Sequence, residues 1–268
     1  MASYARFLSM ILLGICTNVI YGQTLSNINK LNKGDSLLEK SHGQKLNASE
    51  TSELKEYAIS VQNQGQLLDE SCHNYSASLQ NINRAIQCFI VLKDTLDLAN
   101  NRKFKGYLLS KMGMYTDAKT EINSALYLYS LKNKGWGIAV SQFDLSKVYD
   151  AEAKPDSALF YTNMALSFWQ TAEDNYRIFI INTMKLNLLT KMKRFEGARA
   201  IENESKNLIA HNQFHWQGLL DFYFISARLY AALGQSPVFA SYQNLYLTEI
   251  DTLKTKGISA KSTYDNVR

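Results

Sequence analysis

The stretch KFKGYLLSKMGMYTDAKTEINSALYLY, residues 103–129, decides the fold of this chain. In its second half, Ala118, Ile122 and Ala125 recur at i, i+4 and i+7, a spacing that places them on one face of an α-helix. Two of these three side chains are alanines, so another helix can approach this face closely. The second half of the stretch therefore predicts a helix that packs tightly against a neighbour.

The first half of the stretch supplies that neighbour. Gly106 lies inside a helical segment, where glycine costs roughly 0.5–1 kcal/mol relative to alanine. A close contact between two helices accounts for a glycine at this place. Gly113 ends the segment, as glycine commonly does at the end of a helix. The whole stretch therefore predicts two antiparallel helices joined by a short turn.

The same pattern recurs along the chain every 40 residues. The second helix of each copy is expected to begin at Tyr75, Tyr115, Pro155 and Phe195. Small residues follow three positions later, at Ser78, Ala118, Ala158 and Ala198, and again at Ala85, Ala125, Ala165 and Ser205. A fifth, less complete copy follows near Ala227, Tyr230, Gly234 and Ala240. Self-similarity at a fixed period predicts a repeat protein.

Copies two and three carry a more specific pattern: a small residue, a later aromatic, a turn, and two alanines. Their matching residues are Gly106, Gly113, Tyr115, Ala118 and Ala125, and Ser146, Tyr149, Ala158 and Ala165. This pattern resembles the tetratricopeptide repeat (TPR) over about residues 50–250, although that family has a period of about 34 residues. The resemblance implies an all-α fold, a right-handed α-solenoid of antiparallel helix pairs with about five repeats of about 40 residues.

The N-terminus has the features of a secretory signal. Arg6 precedes the largely apolar residues 7–20, a length too short for a comfortable membrane span. We expect export to the periplasm. The alternative is an anchor in the inner membrane through an uncleaved segment, and Ile15 before Cys16 disfavours a lipoprotein. The predicted domains are a signal peptide (1–22), an N-terminal capping segment (23–50), a TPR-like repeat domain (51–254) and a disordered C-terminal tail (255–268).

Composition and motifs exclude several classes of function. The formal charge is +5 and the basic residues are scattered, so no nucleic-acid partner is expected. The sequence has no nucleophile elbow, phosphate loop, HExxH or CxxC motif, so no catalytic residue and no cofactor is predicted. His211 and His215 lie four residues apart, but no third ligand is near them in the sequence, so no metal site is predicted.

The resemblance also implies where a partner binds, because the first helix of each repeat lines a concave groove in the TPR family. In this chain the predicted groove residues are Lys103, Tyr107, Phe143, Lys147, Asn187, Phe224 and Arg228. Asn63, Leu67 and Thr183 lie at corresponding positions. Aromatic rings and cations on one face are suited to an extended peptide that carries apolar and acidic groups.

These observations predict a non-enzymatic protein–protein interaction scaffold of the cell envelope, which binds a peptide or protein in the groove. The alternative is a periplasmic sensory module, or a fragment of one, in a signal-transduction system. An enzyme with an unrecognised site is a third class, which a catalytic constellation in the groove would favour.

Overall fold

The computed structural model describes residues 25–258, with side chains from residue 31 onward except those of residues 71 and 72. Helices are the only regular secondary structure in this range. They are α1 (Leu25–Ser41), α2 (Ala48–Cys72), α3 (Tyr75–Val91), α4 (Thr95–Lys111), α5 (Tyr115–Leu131), α6 (Gly135–Ala151), α7 (Pro155–Thr171), α8 (Asn175–Lys191), α9 (Phe195–His211), α10 (Trp216–Ala232) and α11 (Ser236–Thr255). The predicted all-α class is confirmed.

The helices form consecutive antiparallel pairs, α2–α3 to α10–α11, after the single helix α1. The four predicted starts of second helices are all confirmed, since α3, α5, α7 and α9 begin at Tyr75, Tyr115, Pro155 and Phe195. From α4 to α9 each helix has 17 residues, and the connectors between them have three. A period of about 34 residues with such connectors leaves about 14 residues per helix, so the longer period of this chain lies in its helices.

The connectors share one backbone conformation. Their middle residues, Lys93, Gly113, Asn133, Ala153, Glu173 and Lys193, have φ between 51° and 78°. The next residue closes each turn: the N–H of Lys154, for example, donates to the carbonyl of Tyr149 at 2.8 Å. This left-handed residue with a bond back across six residues is the Schellman ending of a helix. Turns within pairs and between pairs are therefore alike.

We expect opposite effects from exchanging alanine and glycine in two of these connectors. Only glycine adopts positive φ without steric strain, and nothing lies within 4 Å of a Cβ built on Gly113. Gly113→Ala should therefore destabilise the fold by about 1 kcal/mol, and Ala153→Gly should stabilise it by a similar amount. Urea denaturation of both variants measures the difference. Equal signs for the two changes would contradict the conformational explanation.

Small residues hold the helices of a pair together. Ser78, Ala118, Ala158 and Ala198 are all fully buried. A Cβ built on Gly106 would lie 2.4 Å from Cγ1 of Ile122 and 2.9 Å from the carbonyl oxygen of Ala118. The predicted tight contact between Gly106 and the Ala118 face is thus confirmed. In the next pair, the hydroxyls of Ser146 and Thr162 meet at 2.6 Å in the same place.

The chain divides into two compact units between Gly137 and Ile138. Unit 1 contains α1 to α5, and unit 2 contains α7 to α11 with most of α6. The first pair begins at Ala48, three residues before the predicted repeat domain, because Asn47 caps α2 with a hydrogen bond from Glu50 N–H. The predicted signal peptide (1–22) and residues 259–268 of the predicted tail lie outside the described residues. Within residues 25–258, no helix is long and apolar enough to cross a membrane.

Candidate functional site: the first helices of the pairs

In unit 1 the predicted groove residues lie on α2 and α4. Tyr107 of α4 stacks on Phe104 with ring centroids 5.6 Å apart, and its hydroxyl donates to the carboxylate of Asp69 on α2. Burial raises the pKa of Asp69, although the bond from Tyr107 opposes that rise. Lys103 is half-buried on the same helix. Tyr107 therefore joins two successive first helices as well as facing a partner.

In unit 2 three predicted residues occupy one position on successive first helices. Lys147, Asn187 and Arg228 each lie twelve residues after the first residue of α6, α8 and α10. Asn187 is only 1% exposed, and its Nδ2 atom has no hydrogen-bond partner among the described residues. Arg228 has a buried Nη1 atom that likewise has no partner there. Since α8 packs against α10, two unpaired donors lie at the same level of one helix–helix contact.

Lys147 differs from these two residues because its side chain is half exposed. Its ammonium lies 3.1 Å from the carboxylate of Asp144 and 4.4 Å from the centre of the Phe143 ring. Phe143 itself packs against the buried side chains of Met184 and Leu188. The structure thus brings the predicted pair Phe143 and Lys147 into direct contact, with the cation toward solvent.

The last predicted aromatic, Phe224, lies on α10 and contacts the second helix of its own pair. Its ring centroid is 5.9 Å from that of Tyr246. Phe224 is half-buried and packs against the core of α8 to α11. It contributes to this core and leaves only part of its ring open to a partner.

A further polar residue of α8 was not foreseen. Asn182 is fully buried, and neither polar atom of its side chain has a hydrogen-bond partner among the described residues. A signal for it existed in the sequence, because Asn182 interrupts the apolar run IFII that precedes it. The structure gives no partner that explains this side chain.

A second unforeseen feature is a buried carboxylate in α9. Glu202 is fully buried and accepts hydrogen bonds from the hydroxyls of Tyr230 (3.3 Å) and Tyr242. The ammonium of Lys206 lies 2.8 Å from the same carboxylate. Burial and the bond to Glu202 raise the pKa of Tyr242. Ile82 and Ile122 hold the corresponding position in earlier copies, so the polar residue was visible as a break in the repeat.

The two histidines do not form one face of a helix. His211 ends α9, where its Nδ1 lies 2.8 Å from the carbonyl of Asn207. His215 caps the start of α10, with Nδ1 3.4 Å from the N–H of Gln217. Among residues 25–258 no group of three or more His, Cys, Asp or Glu side chains is placed to hold a metal ion.

Comparison with solved structures defines the class of fold. The chain is similar to BtubC (BKLC) from P. vanneervenii, with a TM-score of 0.65 and 12% identity over 87% of this chain and 93% of that one. It is also similar to a putative kinesin light chain of Podosopora anserina with nearly identical TPR-like repeats (TM-score 0.57, 10% identity, 75% and 97% covered). The apo form of RapI is a third such structure (TM-score 0.56, 12% identity, 95% and 100% covered).

No family model matches the sequence, and no curated protein sequence matches it. At identities of 10–12% the likeness to these structures shows the fold alone. The fold is that of TPR-like helical repeat proteins, which are protein-interaction scaffolds built from stacked helix pairs.

Proposed function

We propose that this chain is a non-enzymatic interaction scaffold of the cell envelope, exported to the periplasm, which binds a peptide segment of a partner protein along its first helices. The observation that carries the proposal is the pair of unpaired donors, Asn187 Nδ2 and Arg228 Nη1. A buried donor without a partner costs about 1–3 kcal/mol, and more when it is charged. A carboxylate or carbonyl oxygen supplied by a partner peptide would satisfy both donors.

The different burial of the two cations at this level predicts different roles in binding. Arg228 has a buried guanidinium nitrogen, so its bond to a partner acts in a desolvated place and holds the complex together. Lys147 is half exposed and already paired with Asp144, so it acts as a charge at the rim that attracts an acidic partner. The two cations should therefore influence different rate constants.

The test begins with capture of the partner from its native envelope by the full chain, followed by surface plasmon resonance with purified components. We expect Arg228→Ala to raise the dissociation rate about tenfold or more and Lys147→Ala to lower mainly the association rate, most strongly at low salt. Asn187→Ala should resemble Arg228→Ala.

Lys132→Ala is the matched control, because Lys132 is exposed on a connector of unit 1. Wild-type rate constants for all of the Lys147, Asn187 and Arg228 variants would place the binding site elsewhere on the molecule.

A further inference from the structure

We propose that a pocket between α1 and α2 binds a basic side chain, arginine or lysine, of a partner protein. This α1–α2 pocket has a volume of about 330 Å³. It lies in unit 1, so it is separate from the donors of α8 and α10 and does not depend on them. Its polar wall is formed by Glu53, Glu56, Ser60 and Gln64 of α2, with Lys33 of α1 opposite.

The crossing of the two helices is fixed beside the pocket. A Cβ built on Gly34 would lie 2.1 Å from Cγ of Tyr57, so glycine lets α1 lie directly against the tyrosine ring. The hydroxyl of Tyr57 donates to Asp35, and Asp35 lies 3.9 Å from Nε of Arg84 on α3. Burial, followed by the bond to Asp35, raises the pKa of Tyr57, so this hydroxyl stays a donor. These contacts hold the ring of Tyr57 in place as one wall.

The polar wall offers acceptors that the protein itself leaves largely unused. The buried Oε2 atom of Glu53 makes no hydrogen bond, although the ammonium of Lys33 lies 2.6 Å away as an ion pair. Glu56, Ser60 and Gln64 make no side-chain hydrogen bond or ion pair with the described residues. The pocket carries two carboxylates against one ammonium in a chain whose formal charge is +5. Its chemistry therefore selects a cation.

The apolar part of the pocket selects the kind of cation. Leu31, Leu37 and the ring of Tyr57 contribute to its lining. Lysine and arginine bury their aliphatic stems against such surfaces while the charged head reaches polar groups, and a guanidinium also stacks on an aromatic ring. A bare metal ion needs a cluster of ligands, and no such cluster occurs among residues 25–258. A cationic head on an apolar stem fits both halves of the pocket.

Lys33 holds the place of this group in the free protein. Its side chain is 64% exposed and makes one ion pair, to Glu53. Exposed pairs of this kind contribute little stability, so an incoming guanidinium can displace the ammonium from Glu53 and gain Glu56 as a second partner.

The experiment uses the isotope-labelled full chain and a short peptide with one arginine between two leucines. Nuclear magnetic resonance titration should show saturable shifts of the amide signals around Gly34 and Glu53. The same peptide with citrulline in place of arginine should not bind, because citrulline keeps the shape of arginine without its charge. Glu53→Gln and Glu56→Gln should each weaken binding by about fivefold or more. Glu70→Gln is the control, since Glu70 is exposed on α2 outside the pocket.

Three results would overturn the proposal. One is wild-type binding by both pocket variants; another is equal binding of the citrulline peptide. The third is spermidine binding to the pocket more tightly than the peptide, which would make a free polyamine the ligand. Glu56 is exposed and unpaired, so Glu56→Gln should melt as the wild type does, and its loss of binding then reports on the pocket.

Discussion

Tyr242→Phe is expected to destabilise unit 2 by about 2–3 kcal/mol, because it removes a hydrogen bond from a buried charge. Glu202 is fully buried, and the hydroxyl of Tyr242 is one of its donors. Without this hydroxyl the carboxylate keeps Lys206 and the longer bond from Tyr230. Urea denaturation followed by circular dichroism measures the loss.

Tyr223→Phe is the matched control for this change. Tyr223 lies on α10, its ring is 6.5 Å from that of Tyr242, and its hydroxyl makes no hydrogen bond to the described residues. Removal of that hydroxyl should leave stability nearly unchanged. Equal losses in the two variants would mean that the bond to Glu202 adds no stability.

The pH dependence gives a second measure of the same network. The pKa of Tyr242 is raised in the folded chain above the value of about 10 expected when unfolded. A raised pKa of an acid means that the folded chain holds the proton longer, so this stabilisation is complete below pH of about 10 and is lost as pH rises further. The decline of stability above that pH should be shallower in Tyr242→Phe than in the wild type. An identical slope would indicate that Tyr242 does not titrate with folding.

Ala118→Leu is expected to destabilise unit 1 by about 3 kcal/mol, because the contact between α4 and α5 has no space for a larger side chain. Ala118 is fully buried, and its carbonyl oxygen would lie 2.9 Å from a Cβ on Gly106. Leucine there must push the two helices apart along their closest approach. Asn123→Leu on the exposed side of α5 is the control, which should be neutral or slightly stabilising. An unchanged denaturation midpoint for Ala118→Leu would show that the contact is loose.

Much of the fold could be predicted from the sequence because its causes are local and repeated. Alanine and glycine at intervals of 40 residues mark the helix contacts, and the four second helices begin at the predicted residues. The first boundary was less accurate, since the capping box of Asn47 and Glu50 starts α2 at Ala48. Connector geometry was foreseen only at Gly113, because Lys93 and Ala153 take the same left-handed conformation without a residue type that reveals it.

The candidate site could be predicted only as a set of positions. The spacing placed Lys147, Asn187 and Arg228 at one level of successive first helices, and the structure has them there. Their burial could not be read from spacing, since it depends on the helices on either side. Asn187 and the Nη1 of Arg228 are buried while Lys147 is half exposed, although all three occupy the same repeat position.

By itself the sequence determined the all-α class, the 40-residue period and the residues at which second helices begin, because these follow from the order of neighbouring residues along each helix. The tertiary structure alone decided which polar groups meet. Glu202 binds Tyr230 and Tyr242, which lie 28 and 40 residues away, and the α1–α2 pocket exists because Gly34 lies against Tyr57. Such contacts join residues from different helices, and a helical pattern records which face a residue lies on but not what packs against that face.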